Sequence, residues 1–299
     1  MKHINAISRL FLVLGLCVCG IAAADDPDVH ADWGNWGDRG DALVLGDSVA
    51  FSYINGVGYE YANPANFIGF PLRLHEWLDL QVVDAGCPGE TTGSFLSATA
   101  PDNGCRAYRA NFPLHVPYRG TQLEFALGFL RTHRDTRLVT ITLGANDGFL
   151  AEAACAAYAN TDMYLDCLAP KLQSVATNIA TILAELRGAG YDGRIVVTNY
   201  YSTDYSDAAA TYLTGVLNQL IEAPLQAYGA VLADVFTTFE SAVPTTGTNT
   251  TCRAGLLNVS GPVVPATSPP SYSCDIHPTQ SGHLLIARTI AKAYETARR

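Results

Sequence analysis

The chain has little charge: Lys, Arg, Asp and Glu together make up 15% of its 299 residues. Basic residues are the scarcer kind, 18 against 28 acidic ones, which leaves a formal net charge of −10. No basic run offsets that balance, so the composition excludes a general nucleic-acid or anionic-membrane partner. Close Cys-x-x-Cys pairs are absent as well, which removes the usual zinc spacing and implies no metal. Beyond residue 24 no segment is apolar for the roughly 20 residues that a membrane-spanning helix needs. Internal repeats and charge-rich linkers are also missing. Residues 25–299 therefore read as a single domain with one substantial core.

One long apolar stretch is present, at the N-terminus. Lys2 and Arg9 supply a positive start, residues 10–21 an apolar centre, and Ala22-Ala23-Ala24 a small-residue cleavage site. This is the pattern of a secretory signal over residues 1–24, and it predicts export to the periplasm or the outside. Cys17 and Cys19 follow Leu16 and Val18, which are too large for a lipoprotein cleavage site. Without Lys2 and Arg9, 16 of the 18 basic residues remain against the 28 acidic ones. Six cysteines also remain: Cys87, Cys105, Cys155, Cys167, Cys252 and Cys274. An even number in an exported chain predicts disulfides. Several connectivities are open; joining neighbours in sequence closes modest loops and is the favoured one.

Apolar, β-branched runs at 43–45, 80–83, 138–143, 195–198 and 230–235 predict strands. Between them, helical patterns cover 71–78, 122–132, 168–187, 208–227 and 279–297. Such alternation predicts an α/β domain with a parallel sheet covered on both faces. Two stretches depart from it. Residues 51–70 are rich in aromatics and glycine, and 242–273 in Pro, Thr, Ser and Gly. The second is largely bracketed by Cys252 and Cys274 and reads as a stapled surface insertion or an active-site rim. It carries Asn249 and Asn258 in glycosylation-type triplets that also arise by chance.

Four motifs fall at the carboxyl ends of strands or before the last helix, where open α/β sheets bind ligands. Gly46-Asp47-Ser48 follows the first strand and offers a hydroxyl nucleophile. Asp84-Ala85-Gly86-Cys87-Pro88-Gly89-Glu90-Thr91-Thr92 follows the second, its glycines suiting a backbone N–H aimed at a ligand. Gly144-Ala145-Asn146-Asp147 follows the third and offers an amide donor, and Asp275-Ile276-His277-Pro278 offers a base. Acyl transfer needs this set: a nucleophile, a base for its proton, and donors for the oxyanion. Each motif alone also reads as a turn glycine, a helix cap or a core histidine. Their order along the chain is what unites them.

That order and those motifs resemble the SGNH, or GDSL-type, hydrolases, a family of secreted esterases and lipases, over most of residues 25–299. The resemblance implies a flavodoxin-like three-layer α/β/α sandwich with a five-stranded parallel sheet. It implies Ser48 as nucleophile and His277 as general base. The N–H groups of Ser48 and Gly89 with the Asn146 side chain would form the oxyanion hole, with no cofactor. The expected partner is an ester: a small molecule, a lipid or an acylated glycan. The family's usual aspartate, three residues before the histidine, is here Cys274; Asp275 is two before. Residues two apart in an extended segment share a face, so Asp275 or a backbone carbonyl is left to orient His277. His283 is a rival base, Asp147 a loop tether, and Tyr200 and Tyr201 line the pocket or pack the strand end. Polysaccharide deacetylation and an inactive binding module are the alternative functions.

Overall fold

Five short parallel strands form the centre: β1 (Asp41–Gly46), β2 (Gln81–Asp84), β3 (Leu138–Thr142), β4 (Arg194–Thr198) and β5 (Ala230–Ala233), in the order β2-β1-β3-β4-β5. The computed structural model describes residues 40–55, 61–159, 161–259 and 274–296. The predicted signal segment and most of the Pro- and Thr-rich stretch lie outside those residues. β3 is buried along its whole length and β1 along all but its first residue. This is why β1 reads as an apolar run and β3 as an apolar, β-branched one, without alternating charged residues. Register is parallel throughout, with Leu43 opposite Val83 on one side and opposite Val139 on the other.

Helices cover both faces. α1 (Phe70–Leu78) packs with β2 and with the last helix, α10 (Gln280–Thr296). α8 (Val235–Glu240) joins them on that side. The other face carries α2 (Thr92–Leu96), α4 (Gln122–Thr132), α5 (Ala145–Cys155) and α7 (Ala208–Glu222) around the long α6 (Met163–Gly188). α3 (Cys105–Asn111) and α9 (Thr250–Arg253) are short, and three of the four residues of α9 are buried. Two strands stand apart from the main sheet: β6 (Leu257–Val259) and β7 (Cys274–Pro278) pair antiparallel. Among the described residues no helix is long and apolar enough to cross a membrane.

The predicted sandwich and its five-stranded sheet are therefore present, with corrections at the edges. Helix 208–227 ends at Glu222, just before Pro224, and continues only as a 3-10 turn over Leu225–Tyr228. The fifth strand stops at Ala233 because Asp234 caps α8, accepting from Thr237 N. α6 starts earlier than 168 and carries Pro170 inside it, at the loss of one backbone hydrogen bond. The described part of 242–273 holds α9 and β6.

This topology fixes where a site can form. The chain leaves β1 toward β2 on one side of the sheet centre and leaves β3 toward β4 on the other. The carboxyl ends of β1 and β3 thus flank a switch point, a built-in crevice. Ser48 follows β1 and Asn146 follows β3.

Candidate active site

The turn that presents Ser48 is held from beneath. Gly46 has φ +145°, and a Cβ there would collide with the Thr142 carbonyl, so only glycine fits. The buried Gln122 side chain clamps this residue from α4. Its Oε1 accepts from Gly46 N at 2.5 Å and its Nε2 donates to Gly46 O at 3.0 Å. Asp47 is 1% exposed and turns its carboxylate under the loop. There it accepts from Val49 N at 2.9 Å and from Tyr200 Oη at 2.5 Å. Burial pushes the Asp47 pKa up to about 6, against the pull of the Tyr200 and Val49 hydrogen bonds. Ser48 itself stays half-buried, with its Oγ 3.0 Å from His277 Nε2.

His277 comes from β7, 229 residues later in the chain. Because that strand is extended, Asp275 and His277 lie on the same side. Asp275 Oδ1 accepts from His277 Nδ1 at 2.6 Å and from His277 N at 3.0 Å. A carboxylate only accepts, so this bond places the ring proton on Nδ1 and leaves Nε2 free to accept from Ser48. Burial opposes ionisation of Asp275, but the hydrogen bond and charge of His277 outweigh it and hold the carboxyl below its usual value. Cys274, at the family's usual acid position, is bonded to Cys252 and has no part in orienting the ring. Two further side chains fix β7. Tyr201 Oη donates to Ile276 O at 2.6 Å, and Asn258 Nδ2 donates to His277 O at 3.1 Å and Pro278 O at 2.9 Å. The Asn258 amide is thus engaged with the strand rather than presented as a sugar acceptor.

The second and third motifs meet beside Ser48. Gly89 has φ +88°, and a Cβ there would collide with the Asn103 carbonyl. Asn103 N donates to Gly89 O at 2.8 Å, and Asn103 Nδ2 donates to Asn146 Oδ1 at 2.8 Å. One N–H of the Asn146 amide donates to Glu90 O at 3.0 Å, which leaves the other free. Asn146 shares a cavity of about 290 Å³ with Ser48 and His277. The N–H groups of Ser48 and Gly89 donate to no described residue. Gly89 is buried, and buried backbone donors are almost always paired, so its unpartnered N–H together with that of Ser48 fits a ligand site. Asp147 tethers the loop as expected, accepting from Thr92 N at 2.8 Å and Thr92 Oγ1 at 2.6 Å.

Glu90 lies under this loop, 2% exposed, and accepts from the Ser94 hydroxyl and from Gln122 Nε2. Burial pushes its pKa up to about 7, against those two hydrogen bonds. Gln122 therefore joins the Ser48 turn to the loop that holds Asn146. Cys87, Glu90 and Cys105 are spaced like metal ligands. However, the two sulfurs are bonded to each other and offer no thiolate. The remaining pair is Cys155–Cys167. All three pairings are the sequential ones.

His283, the rival base, is not brought to Ser48. It is 2% exposed, and neither ring nitrogen has a hydrogen-bond partner. Burial, and then the nearby His277 charge, push its pKa down to about 3. Tyr200 and Tyr201 do both things the sequence left open, lining the cavity and packing into the core at the strand end, and they also brace Asp47 and β7. Gln122 and Asn258 carried no sequence signal as site residues, since their partners lie in other motifs.

The model of the GDSL-like lipase/acylhydrolase family matches residues 44–285. Among solved structures, a mutant of an acetyl-xylooligosaccharide esterase from Geobacillus stearothermophilus is 14% identical. It matches with a TM-score of 0.50 over 86% of this chain and 94% of that one. A lipase from a goat rumen metagenome is also 14% identical, with a TM-score of 0.50 over 85% of this chain and 97% of its own. At that identity the likeness is one of fold. No curated protein sequence matches the chain.

Proposed function

The chain belongs to the GDSL-like lipase/acylhydrolase family and is a carboxylic ester hydrolase, and from that premise we propose that it works through a Ser48 acyl-enzyme. Ser48 Oγ attacks the acyl carbon while His277 Nε2 takes its proton. Asp275 holds the imidazole in the required tautomer and stabilises the imidazolium as it forms. The idle N–H groups of Ser48 and Gly89, with the free Asn146 N–H, receive the negative charge on the former carbonyl oxygen. When the tetrahedral species collapses, His277 returns the proton to the leaving alcohol. Water then repeats the sequence on the acyl-enzyme, its proton passing to His277 and on to Ser48.

One observation carries this reading. Ser48, His277 and Asp275 form an unbroken hydrogen-bonded line, 3.0 Å and 2.6 Å long, at the carboxyl edge of the sheet. A binding module has no need of such a line. We further read residues 25–299 as one exported domain, released from the signal over 1–24. The three disulfides support an oxidising destination. Removal of acetyl groups from polysaccharides would use the same chemistry with a smaller acyl site. Ser48→Ala tests the proposal: ester hydrolysis should vanish while circular dichroism and Tm stay at wild-type values. Retained turnover in a folded variant would remove the reading.

A further inference from the structure

The cavity that opens at Ser48 extends well past the reacting atoms. From Asn146 the face of α5 continues at helical spacing through Phe149 and Glu152. Opposite stand Leu168 and Leu172 of α6, 3% and 7% exposed, with Leu213 and Leu217 of α7. The Cys155–Cys167 bond ties the end of α5 to the beginning of α6, with Cα atoms 5.9 Å apart, and so fixes the wall on which Leu168 sits. Glu152 is exposed and marks the open rim.

We propose that this slot between α5, α6 and α7 is an acyl-chain site that selects esters of medium-length linear fatty acids, of roughly 8–10 carbons, over acetyl esters. The inference rests on Ser48 being the nucleophile. Its size follows from the volume. A cavity of roughly 150 Å³ lined by Leu, Ile and Phe admits benzene. The 290 Å³ here holds about twice as much, on the order of a dozen heavy atoms. An acetyl group leaves nearly all of that leucine-lined space unused, whereas each methylene placed there raises kcat/KM about fourfold.

Direction follows from the chemistry. His277 must protonate the leaving oxygen, so the alcohol departs on the His277 side of Ser48. Asn146, the proposed donor to the acyl oxygen, opens α5, and the slot runs along that helix. The slot is accordingly assigned to the acyl chain, and ethyl decanoate against decyl acetate separates that assignment from the alcohol.

The test compares ethyl esters from acetate to palmitate, together with decyl acetate and acetylated xylan, on the whole mature protein. Labelling of Ser48 by a fluorophosphonate is followed in parallel. The expected kcat/KM rises by about three orders of magnitude from ethyl acetate to ethyl octanoate, six methylenes at roughly fourfold each, declines beyond the length of the slot, and is low on xylan. Ethyl decanoate should be preferred to decyl acetate, which carries the same chain on the other side of the ester. Leu213→Phe should lower the decanoate-to-acetate ratio of kcat/KM about tenfold, and Leu213→Ala should move the optimum to longer chains. Highest activity on acetate or xylan, or preference for decyl acetate, would overturn the slot while Ser48 labelling leaves the nucleophile intact. Unchanged ratios in both Leu213 variants, each still labelled, would do the same. Absence of label at Ser48 in an active enzyme would overturn the nucleophile reading and this one with it.

Discussion

His277 and His283 lie six residues apart, one on β7 and the other on the first turns of α10, and their surroundings are opposites. His277 is partly exposed to the cavity, with a carboxylate on one ring nitrogen and a serine hydroxyl on the other. His283 is sealed beside Gly69 and Phe70 with both nitrogens unpartnered, and its burial holds it neutral down to about pH 3. A base must gain and lose a proton during each turnover. An imidazole in contact with an acid and a hydroxyl can do so, while one buried without a partner pays the full desolvation cost of charging. What separates the two rings is the partners that the strand and the helix bring to them.

The largest expected effect breaks the symmetry of that pair. His277→Ala should lower kcat by about 10⁴ or more, because no other group accepts the Ser48 proton. The variant's circular dichroism should match wild type, and a steady-state assay that found only a small loss would equate the two histidines. Asp275→Asn comes next, with an expected loss of two to four orders of magnitude, on the scale of about 10⁴ for a wrongly held tautomer. If a backbone carbonyl orients the ring instead, most activity would remain.

The smallest effect belongs to His283. Replacing a buried unpaired polar ring by an apolar side chain is near neutral or stabilising, so His283→Leu should keep kcat within about threefold of wild type. Its signature is in stability. The folded pKa is near 3 against 6.5 in the unfolded chain, so the contribution of His283 is full above 6.5 and is lost as pH falls toward 3. Asp47 and Glu90 have the opposite sign. Their raised values, about 6 and about 7, give stability at low pH that is lost as pH rises. Thermal unfolding at pH 5 and pH 8 therefore isolates His283: the variant's gain in Tm should be larger at pH 5. An equal gain at both would mean that the ring titrates normally.

The same contrast marks how much of the protein its sequence disclosed. Apolar, β-branched runs gave β1 to β5, and amphipathic spacing gave the longer helices, because burial on one or two faces writes itself into the residue pattern. α5 escaped because it starts within the Gly-Ala-Asn-Asp motif and packs against both α6 and the cavity, so its apolar residues follow no single face. α2 and α9 are only five and four residues long and carry too few positions for a period to show. Ser48, Gly89, Asn146 and His277 were legible as motifs. The choice between Asp275 and a carbonyl was not, since it depended on β7 staying extended through Cys274–Pro278. The braces were invisible for another reason. Tyr200 meets Asp47 across 153 residues, and Gln122 meets Gly46 across 76, so nothing in the local sequence of either predicts the contact.

Covalent labelling reaches the central claim most directly. Mature wild-type protein treated with a fluorophosphonate should gain one adduct, mapped by peptide mass spectrometry to Ser48. Ser48→Ala should gain none, His277→Ala should label far more slowly, and His283→Leu should label at about the wild-type rate. An adduct on any other residue, or equal labelling of Ser48 with and without His277, would contradict the account.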